Sequence, residues 1–336
     1  MTSEIIIAPS TDLAARAAAY VEANLTAKTR ADYAQDWKMF ERWCAPRGFE
    51  AASARDELVA VYLAWMADQG RAPATIERAW QGLYVRLREL DPDARKGEIC
   101  RKVLRGIRRT STHKTRAKAP LLAGDLVALL EHVGTGIVGL RNRAMLLVGF
   151  AGGFRRSELA ALTLEDVAFA PEGLRIALGR SKTDQEGRGM EKGLARGRAP
   201  LCPVAALSAW IDQLNSAASA PTDGTEQPDS SASLDAKSID KPLFPALDRW
   251  GHIFPRPITP VCVANVLKVA CRRAGLDARI YGAHSLRAGF VTQAALHHKS
   301  LDSIMRQTGH RSLDQLLGYI RHAQVFTENA SEGLFE

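Results

Sequence analysis

The stretch YGAHSLRAGFVTQAALHHKSLDSIMRQTGHRSLDQLLGYIRHA, residues 281–323, decides how the chain is read. It holds His284-Ser285-Leu286-Arg287, then Thr308-Gly309-His310, then Gly318-Tyr319-Ile320-Arg321. An arginine, two histidines and a tyrosine thus gather in one compact helical region. Guanidinium offers a planar fork of donors that matches phosphate oxygens. Imidazole donates to the same oxygens or moves a proton near neutral pH. A phenolic oxygen can attack phosphorus and leave again. The set suits a site that cuts a phosphodiester and stores it on the protein. Singly, each residue carries little: a tyrosine beside a Leu-Leu pair ordinarily packs in a core, and a lone arginine is ordinarily solvated.

The pattern extends upstream. Gly153-Phe154-Arg155-Arg156-Ser157-Glu158-Leu159 supplies a second arginine box, and Arg180-Ser181-Lys182-Thr183 a basic turn. With H-x-x-R, G-H and a tyrosine nine positions beyond His310, these motifs stand in one fixed order. On them the chain resembles the tyrosine recombinase/phage integrase family over nearly its whole length. The resemblance implies an N-terminal helical DNA-clamping domain and an α+β catalytic domain. The expected fold class is mainly α with a small β-hairpin or sheet.

The resemblance also implies roles. Tyr319 is the nucleophile that forms a 3′-phosphotyrosyl intermediate. Arg155 and Arg287 clamp the nonbridging oxygens as charge builds on phosphorus. Lys182 is the general acid for the departing 5′ oxygen, with Lys192 a nearby competitor. His284 accepts the tyrosine proton or donates to phosphate, and His310 donates to a nonbridging oxygen. Glu158, one turn after Arg155, either orients a cationic neighbour or lies on a helix surface. His297 and His298 lack such company and read as surface residues. No metal and no other cofactor is expected, because Arg, Lys and His supply the positive charge a metal would bring. Strand exchange needs two duplexes carrying a specific site, so a homotetramer on DNA is expected, with a monomer free in solution.

Composition agrees with this reading without requiring it. The 336 residues are 46% hydrophobic and 24% charged, ordinary for a globular chain long enough for two domains. A net charge of +8 favours a polyanionic partner. Five scattered cysteines without a C-x-x-C pair argue against a zinc site or a disulfide framework. No apolar run approaches the roughly 18 residues of a membrane span, and no secretory signal is visible, so a cytoplasmic protein is expected. Only a short lead precedes the first helix, so no added arm-binding domain is expected.

Taken in order, residues 1–109 read as a bundle of four or five helices. Tyr33, Trp37, Phe40 and Trp43 fall at helical spacing, as do Leu58, Val61, Tyr62 and Trp65. Pro73 opens a third helix and Asp91-Pro92-Asp93 ends it. The aromatics here are core formers. From residue 101 to 118 every charged residue is basic: Arg101, Lys102, Arg105, Arg108, Arg109, Lys114, Arg116 and Lys118. Eight like charges suit a segment along a phosphate backbone better than a solvated tail. Residues 110–122 are read as the linker.

The catalytic domain is set at 123–336. Asp125 caps its first helix, 142–150 is an apolar helix, and Leu174–Leu178 alternates as a strand leading to a hairpin with Lys182 near its tip. A helix spans about 203–215. Residues 216–241 are dominated by Ser, Ala, Asp, Pro and Thr and are read as an unfolded insertion. Helices resume near Thr259 and stop at Gly275. The tail 323–336, with Val325, Phe326, Leu334 and Phe335, folds on its own domain or docks on a neighbouring protomer. Two readings compete with a site-specific recombinase that integrates, excises or resolves DNA of a mobile element. One is a type IB topoisomerase-like or telomere-resolving strand transferase, and the other a DNA-binding relative without catalysis.

Overall fold

The computed structural model describes residues 24–113, 118–179, 189–218, 241–310, 312–313 and 316–319, with a few positions before residue 24. The chain divides into two compact units, Met1–Arg116 and Ala117–Glu336. Each has its own hydrophobic core.

In the first unit, α1 (Ala27–Cys44) starts where the Thr26 hydroxyl accepts the Thr29 N–H at 3.1 Å. Trp37, Phe40 and Trp43 lie along its buried face, and Phe40 and Trp43 meet Tyr62 of α2 (Asp56–Asp68). The Phe40 and Tyr62 rings stand 5.0 Å apart and tilted, an arrangement aromatic quadrupoles favour. Helix α3 (Pro73–Leu90) begins on Pro73 and buries Ile76, Trp80, Leu83 and Leu87. Asp36 of α1, itself buried, accepts from Arg78 of α3 at 2.9 Å. Helix α4 (Glu98–Thr110) buries only Cys100 and Leu104 and leaves Arg101, Lys102, Arg105, Arg108 and Arg109 exposed. One narrow apolar stripe holds it down, and the remaining faces are cationic.

The second unit is built around α6 (Gly136–Ala151), whose residues 144–149 are all buried. A helix apolar on every side must be central. Around it lie α5 (Ala123–Leu130), α7 (Arg156–Ala161), α8 (Pro203–Ala218), α9 (Pro260–Arg273), α10 (Ala283–Leu296) and α11 (Leu301–Thr308). Residues 316–319 form a further helical turn. Trp210 of α8 is wholly buried and gives its indole N–H to Leu243 O at 2.8 Å. An antiparallel sheet runs β1 (Val167–Ala170), β2 (Gly173–Leu178), β3 (Met190–Ala195) in that order. Leu174 pairs with Leu194 and Ile176 with Lys192, so Lys192 points to the buried face. A second, two-stranded sheet pairs β4 (Pro245–Leu247) with β5 (Ile253–Pro257). Among the described residues, no helix is long and apolar enough to cross a membrane.

Local details differ from the sequence reading in a few places. Asp125 sits in the first turn of α5, not before it. Its carboxylate accepts the Leu122 N–H and the Tyr281 hydroxyl, both at 3.3 Å. Helix α8 continues to Ala218, into the stretch read as unfolded, and residues 219–240 lie outside the described residues. The end of the stretch read as a linker is fixed in the second unit. Leu121 is fully buried and donates to Ser285 O at 3.0 Å, while Ala119 donates to Ile280 O.

Candidate active site

The site is assembled from two turns and one helix. The first turn follows α6: Gly152 and Gly153 carry the chain round to Arg155, with Gly153 at φ +53°. A side chain at Gly153 would press on Thr308 and Phe290, and the left-handed backbone itself favours glycine. The second turn ends α11, where Gly309 at φ +67° terminates the helix and turns the chain toward His310. Helix α10 lies between them and carries His284 and Arg287.

Arg287 is 1% exposed, and its Nη1 donates to Gly153 O at 2.7 Å and Thr308 O at 2.6 Å. It therefore holds both turns. Its buried Nη2 has no partner among the described residues. An unsatisfied buried cationic donor calls for an explanation, and an incoming anion supplies one. Arg155 is partly buried: its backbone N–H donates to Glu158 at 2.9 Å and its Nη1 to the same carboxylate at 2.5 Å. Glu158 thus orients the guanidinium, the first of the two alternatives the sequence left open.

Lys192 is the third cation. It is 1% exposed, donates to Gly152 O at 2.7 Å and Gln307 O at 2.6 Å, and its Nζ lies 4.6 Å from the Phe154 ring centre. Burial pushes its pKa down to about 7, Glu158 opposes that, and Arg287 and Arg155 reinforce it. Arg287 is lowered to about 10, by burial first and by Arg155 next. Arg155, Lys192 and Arg287 therefore share one carboxylate, Glu158. The pocket holds an excess of positive charge in poorly solvated surroundings, where it acts strongly on an anion.

Tyr319 stands at the mouth of this pocket, half-buried, with its hydroxyl hydrogen-bonded to Nε2 of His284. The His284 and His310 ring centres lie 5.8 and 6.2 Å from its own. Burial raises the Tyr319 pKa and the Arg287 charge pulls it back. His284 keeps an exposed edge, yet its enclosed surroundings and then Arg287 and Arg155 lower its pKa. It is neutral at pH 7 and able to accept a proton. His310 is buried and driven to about 3 by the same causes, with Nδ1 2.7 Å from the Thr308 hydroxyl. That hydroxyl has one proton for two neighbours, His310 and Ile304 O. Given to Ile304 O, it leaves the Thr308 oxygen to accept Nδ1–H, with Nε2 of the neutral ring an acceptor; given to His310, it leaves Nε2–H as the donor.

Five of the six reactive positions read from the sequence, Arg155, His284, Arg287, His310 and Tyr319, converge here. Lys182 lies outside the described residues, as do Lys114 and Arg116. Lys118 is exposed and donates to Arg279 O. His297 and His298 are exposed, away from the constellation. Two participants carried no role in the sequence reading: Thr308, which orients His310, and Gln307, which gives its amide to Ala151 O at 3.2 Å and Gly193 O at 2.9 Å. Thr308 stood inside the quoted T-G-H motif, but only a structure shows which hydroxyl meets which ring. Among the described residues no group of three or more His, Cys, Asp or Glu is arranged to hold a metal.

With the geometry in hand, comparison with known proteins defines the class. Residues 121–325 match the phage integrase family. The chain belongs to that family, whose members are tyrosine-type DNA strand transferases, and its activity is site-specific DNA recombination. An integrase/recombinase XerD homologue of Selenomonas ruminantium is 30% identical over 92% of this chain and 87% of its own length. Tyrosine recombinase XerD of Pseudomonas putida is 27% identical over 92% and 91%. The fold is shared with the DNA-bound Tn1549 transposon integrase, at a TM-score of 0.61 and 16% identity over 89% of this chain and 91% of that one. It is shared also with a DNA-bound XerH recombinase, at 0.58 and 18% over 84% and 73%.

Proposed function

We propose that this protein cleaves one strand of a specific duplex site with Tyr319 and rejoins it to a partner strand. The Tyr319 oxygen attacks phosphorus and the P–O5′ bond breaks. His284 takes the phenolic proton and Lys182 gives one to the departing 5′ oxygen. Arg155, Arg287 and His310 hold the nonbridging oxygens through the transition state. The phosphotyrosyl bond keeps the energy of the broken backbone, so a 5′ hydroxyl from a second duplex reverses the step without a nucleotide cofactor. The observation that carries this reading is the buried Nη2 of Arg287, without a partner among the described residues, in the same site as the hydrogen-bonded Tyr319–His284 pair.

The exposed basic face of α4, with the basic residues after it, tracks the phosphate backbone. Exchange between two duplexes uses four protomers, with the tail 323–336 of one docking on the next. An apolar cavity of about 470 Å³, lined by Leu126, Leu147, Phe150, Phe290, Ala294 and Ile304 among others, is offered as the tail's seat. Integration, excision or resolution of a mobile element's DNA all use this chemistry.

The test begins by selecting a bound site from a random duplex library and building it as a nicked duplex, so that the strand beyond the cut is lost. A protein–DNA band that survives denaturation and EDTA, and vanishes in Tyr319→Phe, is the expected result. A native complex without any covalent product would overturn the reading.

A further inference from the structure

Lys192 is the buried lysine of the site among the described residues and has no place in the scheme above. Its ammonium donates to Gly152 O and Gln307 O, while Arg287 donates to Gly153 O and Thr308 O. Two cations from different elements, β3 and α10, thus hold successive carbonyls of the same two turns. One turn delivers Arg155 and the other delivers His310. Gln307 repeats the link in reverse, running from the α11 turn to Ala151 O and Gly193 O. Three residues therefore fix the spacing between the turns.

We infer that Lys192 is a positioning residue: it sets the distance between the Arg155 turn and the His310 turn, and it does not deliver the proton to the leaving oxygen. The geometry says why. Its ammonium is spent on one carbonyl of each turn and on an aromatic face, and the residue is 1% exposed. A proton donor must reach the 5′ oxygen of a bound strand. Moving Lys192 there would abandon two carbonyls, one buried and one part-buried, which are costly to leave unpaired. The lowered pKa near 7 is compatible with acid chemistry, but burial first, reinforced by Arg287 and Arg155, accounts for it without any catalytic role. The inference rests on the clamp proposed above, since it concerns what holds that clamp in place.

A substrate with sulfur in place of the bridging 5′ oxygen separates the two roles, because a thiolate leaves without a proton. The probe is the nicked duplex described above, made with oxygen or with sulfur at the scissile position. Lys192→Met keeps the length of the side chain and removes the ammonium. On the oxygen duplex its cleavage rate should fall about 10- to 10²-fold, the scale of a misplaced reacting group. Duplex affinity should stay within about twofold. Sulfur should restore Lys182→Ala toward wild type and leave Lys192→Met impaired. In the double variant Arg155→Ala/Lys192→Met, the second change should add little to the first, because both act through one clamp.

Rescue of Lys192→Met by sulfur, cleavage unchanged from wild type, or losses that multiply with Arg155→Ala would each overturn the inference. If Lys192→Met fails to fold, Gln307→Ala takes its place; it should cleave several-fold slower without sulfur rescue, and an unchanged rate would overturn the inference. Wild type and Tyr319→Phe run alongside. No covalent product with wild type sinks the recombinase mechanism together with this inference, whereas product with wild type and no defect in Lys192→Met sinks the inference alone.

Discussion

At the scale of residues, the site works by gathering cations that the fold cannot neutralise. Among the described residues Glu158 is the one carboxylate acting on Arg155, Lys192 and Arg287, which leaves the pocket with an excess of positive charge suited to the proposed phosphate. On the proposed mechanism, replacing Arg155 with alanine removes a donor that acts on the transition state. Single-turnover cleavage should drop about 10²- to 10³-fold, with duplex affinity changed little by comparison. The pH profile follows from His284. Its folded pKa lies below the usual imidazole value, so the ring stays neutral, and able to accept a proton, down through pH 6.5. The second-order cleavage rate, which reports the free protein, should therefore hold from pH 7 past 6.5 and decline only in more acidic solution. A midpoint at or above 6.5 would contradict the lowered pKa. That Arg155, His284, Arg287, His310 and Tyr319 would meet in one place was legible in the sequence, through the ordered motifs that carry the family resemblance. The partner of each was not, since a hydrogen bond between residues 35 positions apart depends on how helices pack.

Among elements, the turns matter more than the helices. Gly309 ends α11 in left-handed backbone with His310 immediately after it, and Gly153, two residues past the end of α6, is also left-handed with Arg155 two residues further on. Gly289 does something different. It lies on α10 where the strand of chain entering the second unit passes, and a Cβ there would come within 1.8 Å of Leu121 O. Gly289→Ala should destabilise the protein by about 1–3 kcal/mol or more, since backbone and not a flexible side chain must give way. Thermal denaturation reads this as a clearly lower Tm, and an unchanged Tm would show that the chain entry is loosely held. The helices α1 to α4 were readable because amphipathic spacing is strong over a dozen residues or more. β4 and β5 were not: Pro245, Pro255 and Pro257 interrupt a pair of very short strands and leave no alternation to see. Lys192, read in the sequence only as a competitor for the general acid, hid its buried position for a related reason, since its inward side is set by register with Ile176 and not by composition.

For the whole molecule, charge and chemistry divide between the two compact units. The first has an aromatic core and a helix, α4, whose exposed faces are cationic. The second has the reactive constellation. If α4 lies along the backbone of DNA, changing Arg101 and Arg105 together to glutamine should weaken binding to any duplex. It should also lower the magnitude of the log affinity against log salt slope by about 2, near 1 per lost phosphate contact. An unchanged slope would mean those arginines face solvent in the complex. The central claim, however, concerns one oxygen atom. Wild-type protein trapped on the nicked duplex can be digested with nuclease and protease, and the adduct mapped by mass spectrometry. The account predicts a nucleotide joined through its 3′ phosphate to the peptide containing Tyr319. Cleaved DNA with the adduct on another residue, or with no adduct at all, would contradict it.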